Sequence, residues 1–464
     1  MNVCNKSKKQ RAATSKIVNE MKKLALPDAI RALGEDFTFG VATSSFQIEG
    51  ARELRLDCIW DKFCAQDESI FDHSNGDVAC DHYHRWQDDL DMMIDLGVDA
   101  YRFSIAWPRV MHRDGTLNDD GILFYQKIVE YLKQHNKQAF VTLYHWDLPQ
   151  FLEDEGGWLN RQTAHAFADY VRVVVQQLGN NVDAYITLNE PYCAGYLGYE
   201  VGVHAPGMRD QKAGRQASHH LLLAHGLAMQ VIREVAPDTP AGIVLNIHPG
   251  YPLNDTEADR VATQMASEYL FYWYLDPLLR GQYPDVMKHL DPCVRPDVEP
   301  SDMAIIQAKM DFIGLNYYTR NVYQSDGNDW YLEVDCNDYP KTEMGWEITP
   351  YALTEMLVAL NQQYELPPLY ITENGAAMPD SLVDGRVCDH TRIEYFQSHL
   401  NAVAEAISAG VDIKGYFAWS LMDNFEWALG YTKRFGIVYI DYATQERFAK
   451  DSALAYRDML YSRS

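Results

Sequence analysis

Eight apolar runs, separated by stretches with helical spacing, constrain this chain more than any other feature. They are "FTFGVATSSF" (37–46), "DAYRFSIAW" (99–107), "QAFVTLYHW" (138–146), "DAYITLNEP" (183–191), "AGIVLNIHP" (241–249), "DFIGLNYYT" (311–319), "LYITENG" (369–375) and "IKGYFAWSL" (413–421). Each is apolar on both faces, as a strand covered from both sides must be. Between them, Trp86, Leu90 and Met93 mark one helix face, with Gly97 as its stop. Phe167, Tyr170, Val171, Val174 and Leu178 mark another, ended by Gly179. Strands alternating with helices leave two architectures, a closed parallel barrel or an open doubly wound sheet. The open sheet usually carries a G-x-G-x-x-G turn after its first strand, and "VATSSFQIEG" has none. The expectation is therefore an α/β (β/α)8 TIM barrel with long loops at its C-terminal face.

Length alone, 464 residues, would suggest two or three domains. No Pro/Ser-rich linker or low-complexity run divides the chain, and barrels with insertions reach more than about 400 residues. Residues 35–464 are thus expected to form one barrel, and residues 1–34 a poorly ordered N-terminal extension. That extension carries Lys6, Lys8, Lys9 and Arg11, but no apolar core of a secretory signal follows. No apolar run is long enough for a membrane span either. Eight cysteines are scattered without a C-x-x-C pair and read as free thiols in a reducing compartment. A cytoplasmic location is expected. The formal charge of −26 makes nucleic acid and anionic membranes poor partners. Self-association into a homo-oligomer is left open.

In such barrels the C-terminal strand ends carry the chemistry. Here those ends hold Gln47, Arg102, His145, Asn189, Glu190, Asn246, Asn316, Glu373 and Trp419. A ring of hydroxyl-binding groups around two carboxylates suits a sugar. Glu373 ends the seventh run, after Pro367 and Pro368 have prevented a helix from entering it. Glu190 ends the fourth, and the two tips face each other across the mouth. Glycosidic cleavage needs two such carboxyl groups, one to protonate the leaving oxygen and one to meet the anomeric carbon. The H-x-H pattern of His82 and His84 could suggest a metal, but no Asp/His set at later strand ends completes a site. No metal or other cofactor is expected.

"TLNEP", "ITENG", "YRFSIAWPR", "YHWDLPQ" and "WSLMDNFEWALGYTKRFG" together resemble glycoside hydrolase family 1, the β-glucosidase family, from about residue 36 onward. The resemblance implies a retaining β-glucosidase acting through a covalent glycosyl-enzyme intermediate, with Glu373 as nucleophile and Glu190 as general acid/base. It implies β-glucosides, with β-galactosides and β-fucosides as further candidates, or short β-linked oligosaccharides such as cellobiose as substrates. By the same resemblance Gln47, His145, Asn189, Glu426 and Trp427 bind the sugar hydroxyls and Trp419 stacks on the ring. Arg102 and Tyr318 contact the nucleophile, Asn316 belongs to the same shell, and Trp346 is the aromatic on the aglycone side. Glu426, read as a charged carboxylate, is expected to repel a 6-phosphorylated sugar.

Overall fold

The computed structural model describes residues 22–463. Eight parallel strands close into a barrel: β1 (Thr38–Ala42), β2 (Ala100–Ser104), β3 (Gln138–Thr142), β4 (Ala184–Asn189), β5 (Ala241–Asn246), β6 (Phe312–Asn316), β7 (Leu369–Asn374) and β8 (Ile413–Trp419). Neighbours in sequence are neighbours in space, and β8 pairs with β1 to close the ring. Each observed strand lies inside its expected run and most stop several residues short of the run's end. The residues beyond are the ones that turn out over the mouth.

Around the barrel run α1 (His82–Asp95), α2 (Asp119–Gln134), α3 (Arg161–Leu178), α4 (Gln211–Val235), α5 (Glu257–Ser267), α6 (Trp273–Arg280), α7 (Pro350–Gln363), α8 (His390–Ser408) and α9 (Asp451–Tyr461). The expected stops are used. Gly97 and Gly179 follow α1 and α3 with φ of 74° and 53°, a region that glycine enters without a Cβ penalty. Phe167, Tyr170, Val171, Val174 and Leu178 are all buried on the inner face of α3.

The barrel interior is plugged. Phe140, Phe312 and Phe417 converge there, with the Phe140 and Phe417 rings 5.0 Å apart, against small residues such as Ala42, Ala100 and Ala184. Gly40 is part of the same fit, since a Cβ there would lie 2.3 Å from the Phe417 ring. This apolar plug is the floor beneath the polar strand ends.

The expectation for residues 1–34 needs correction where the structure describes them. Residues 1–21 lie outside the described residues, but residues 22–34 are packed. Leu24, Leu26 and Ile30 are buried, and Ala25 exchanges two hydrogen bonds with the Gln397 side chain on α8, at 2.7 and 3.0 Å. Arg31 Nη1 donates to the Ser462 carbonyl at 3.0 Å. Three buried apolar side chains and these three hydrogen bonds anchor the segment.

Candidate active site

Both candidate acids stand at irregularities in their strands. On β4, Ile186 pairs with Gly242 and Asn189 with Val244, so three steps on β4 match two on β5. On β7, Ile371 pairs with Leu315 and Glu373 with Asn316, so two steps match one on β6. Each strand thus gains one residue just before its acid. A bulge of this kind turns the side chains beyond it toward a different face. Glu190 also has φ 45°, a left-handed conformation that costs a non-glycine residue about 1 kcal/mol.

A hydrogen-bonded frame locks the two acids together. Arg102, fully buried on β2, donates from Nη1 to Glu373 Oε1 and from Nη2 to Asn189 Oδ1, both at 2.6 Å. Tyr318 Oη donates to Glu373 Oε2, also at 2.6 Å. Asn316 Nδ2 donates to Glu190 Oε1 at 2.6 Å and to Asn189 Oδ1 at 3.1 Å, and its own oxygen accepts from Thr372 Oγ1 at 2.7 Å. Cys193 Sγ donates to Glu190 Oε2 at 3.1 Å. Burial, aided by the nearby Glu373 charge, pushes Glu190 up to about 7 against the pull of its Asn316 and Cys193 bonds.

This frame also assigns a proton. Asn189 Oδ1 accepts from two pure donors, so its Nδ2 must face His145, whose Nε2 accepts at 3.2 Å. The His145 proton therefore sits on Nδ1, a buried atom with no protein partner. Burial, and secondarily Arg102, holds this histidine well below its usual range and so neutral. His145 thus keeps one buried N–H without a protein partner beside the cavity it lines.

That cavity, of about 730 Å³, opens at the C-terminal face and is lined by His145, Glu190, Tyr318, Trp346, Glu373, Trp419, Glu426 and Trp427 among others. Trp427 packs on Trp146 with centroids 4.5 Å apart, and Trp346 on Tyr318 at 5.4 Å. Glu426 Oε2 is buried without a partner, and burial together with Glu373 and Glu190 pushes this carboxyl up to about 8. Gln47, Arg102, Asn189 and Asn316 stand behind the lining. The Gln47 Nε2 donates to Asn424 Oδ1 and to the Phe425 carbonyl, both at 2.9 Å, which ties the first strand's loop to the loop that presents Glu426.

His82 and His84 separate as their spacing on a helix start suggests: His82 bonds Asp89 in the core and His84 bonds Asp81 at the surface. Among the described residues no group of three or more His, Cys, Asp and Glu side chains gathers in metal-binding fashion. Several contributors were missed, Cys193 and His248 among them. Cys193 was read only as a free thiol, although its position three residues after Glu190 was a signal. His248, which also lines the cavity, gave none beyond its place after the fifth strand.

A family model described as glycosyl hydrolase family 1 matches residues 30–464. The chain belongs to this family. A β-glucosidase of Agrobacterium sp. is 45% identical over 429 residues, covering 91% of this chain and 94% of that protein. A bifunctional β-D-glucosidase/β-D-fucosidase of Bifidobacterium breve is 43% identical over 456 residues, covering 92% and 98%. The structure of the Thermotoga maritima β-glucosidase in complex with deoxynojirimycin superposes with a TM-score of 0.89 at 43% identity, covering 93% of this chain and 98% of that one.

Proposed function

We propose that this family 1 member is a retaining β-glucosidase that releases terminal non-reducing β-D-glucosyl residues through a covalent glycosyl-enzyme intermediate. The observation that carries this reading is the pair of carboxyl groups in unlike surroundings. Glu373 has a guanidinium on one oxygen and a phenol on the other. Glu190 is pushed up to about 7 and so enters neutral solution carrying a proton for much of the time. Unlike environments are how two acids in one site divide the work. Glu373 attacks the anomeric carbon while Glu190 gives its proton to the leaving oxygen. Glu190, now a base, then takes a proton from the water that releases the sugar.

The His145 N–H, the Glu426 carboxyl and the Trp427 indole bind the sugar's hydroxyls, with Asn189 joining them and Gln47 using the second lone pair of its amide oxygen. Trp419 supports the apolar C–H face of the ring and Trp346 lines the way to the aglycone. Arg102, Tyr318 and Asn316 fix the two acids. Residues 35–464 act as one catalytic unit. Cellobiose and other short β-linked glucosides as natural substrates, some β-galactoside or β-fucoside turnover and a cytoplasmic location belong to the same proposal. The last is supported by the described cysteines, all of which are free. No helix among the described residues is long and apolar enough to cross a membrane.

Proton NMR of the first sugar released from nitrophenyl β-glucoside tests the mechanism. Retention predicts β-glucose first, from two carboxyl groups about 5–5.5 Å apart. Initial α-glucose would overturn it.

A further inference from the structure

Glu190 is held by two donors of unequal strength, an amide on Oε1 at 2.6 Å and the Cys193 thiol on Oε2 at 3.1 Å. The thiol reaches this oxygen because Cys193 opens the π-helix Cys193–Val201 just after the strand end, and its N–H donates to the Glu190 carbonyl at 2.9 Å. The side chain is only 7% exposed and lines the cavity. Burial and the adjacent Glu190 push the thiol well above its usual range. It therefore remains S–H, a donor, wherever the enzyme works.

A thiol is a weak donor. It can orient a carboxyl while favouring the charged form less than a hydroxyl or amide would. A group that must deliver a proton in one step and collect one in the next needs both forms within reach. We infer that Cys193 is a positioning residue whose Sγ–H bond to Oε2 aims the Glu190 carboxyl and sets the balance between its acid and base forms. This rests on the reading of Glu190 as acid/base. The other charged or titratable groups around that carboxyl include Arg102 on β2, His145 after β3, Tyr192 next to Cys193 in the chain, Tyr318 after β6, Glu373 on β7 and Glu426 after β8; His204, His248, Arg320, Glu333, Asp335, Cys336 and Glu347 line the same cavity. None of these is altered by a change at residue 193.

The test is the pH profile of kcat/KM on a β-glucoside with a poor leaving group. It compares wild type, Cys193→Val, Cys193→Ser and Glu190→Gln, with thermal melts to show that each is folded. A donor to the ionised carboxyl favours that form. Valine, of similar volume and without a donor, should move the alkaline limb up by roughly half a unit. Serine, a stronger donor, should move it down. A merely structural role would lower activity without moving the limb, and two shifts of the same sign, or none, overturn the inference. Glu190→Gln separates this from the underlying reading. If its residual activity keeps the wild-type alkaline limb, Glu190 is not the acid, whatever the Cys193 variants do.

Discussion

At the residue scale the question is what each carboxyl contributes, and the surroundings give different answers for three of them. On the proposed reading Glu373 makes the covalent bond, so Glu373→Ala should abolish turnover of every glycoside, and azide should then restore release with an inverted, α-configured glucosyl azide. Glu190→Ala removes only proton transfer, so the first step on dinitrophenyl glucoside should survive while unactivated glucosides lose about 10²–10⁴-fold. Equal losses on both substrate types would contradict the division. Glu426 changes an argument that sequence alone suggested. A fully charged carboxylate would repel a sugar phosphate, but burial beside two other acids pushes Glu426 up to about 8, which weakens that repulsion near neutrality. Discrimination then draws also on what the cavity lacks. Its lining holds one Lys or Arg among the described residues, Arg320, and that guanidinium is already paired with Glu347 and Asp338. A phosphate would be stripped of water with little in return. Nitrophenyl β-glucoside should therefore turn over faster than its 6-phosphate, and Glu426→Ser should cost about 10–100-fold in kcat/KM on the unphosphorylated compound. Faster turnover of the phosphate would refute both statements.

The elements explain why those residues meet, and here sequence was a good guide to strands and a poor one to their ends. Alternation of apolar runs with helical spacing was enough to count the eight strands, because burial on both faces leaves a continuous signal. It overran their C-terminal ends, as in 37–46 against the observed Thr38–Ala42, because the residues that turn over the mouth are as buried as the strand itself. The bulges before Glu190 and Glu373 were invisible, since an inserted residue leaves composition unchanged and shows only in pairing to a neighbour. The need for glycine at 375 was not visible either, because it is a contact: a Cβ would lie 1.8 Å from the Trp419 carbonyl oxygen. The end of β7, with Glu373, thus lies directly against the end of β8, with Trp419. Gly375→Ala must force the two strand ends apart. The expected cost is about 1–3 kcal/mol of stability together with a loss of kcat, read by thermal melting and by assay on one preparation. An unchanged melt with full activity would show that the two ends are not held against each other.

For the whole molecule, the barrel separates chemistry from stability along its axis. The polar frame sits on the phenylalanine plug at the C-terminal face, whereas residues 22–34 pack near the opposite end. There Ile30 shares a surface cleft with Thr38, Asp99 and Gln138, at or beside the starts of β1, β2 and β3, and with Leu460 of α9. In barrels of this kind the lower face supports the fold and the upper face supports the reaction. Ile30 is 1% exposed, so Ile30→Ala leaves a cavity rather than a surface change, at an expected cost of about 2–4 kcal/mol. Nothing connects Ile30 to the acids except the barrel itself, and a packed interior transmits little displacement across its length unless an element has two arrangements to choose between. The expected result is a melting temperature lowered by several degrees with kcat/KM at 25 °C within about twofold of wild type, since each kcal/mol shifts the midpoint of a domain this size by roughly 2 °C or less. The opposite pattern is expected of Asn316→Ala, which removes the 2.6 Å bond to Glu190 at the upper face. Its activity should fall by at least about tenfold with a smaller change in melting. If Ile30→Ala instead lowered kcat/KM as steeply as Asn316→Ala while the protein stayed folded, the two faces would be coupled and the axial division of labour would be wrong.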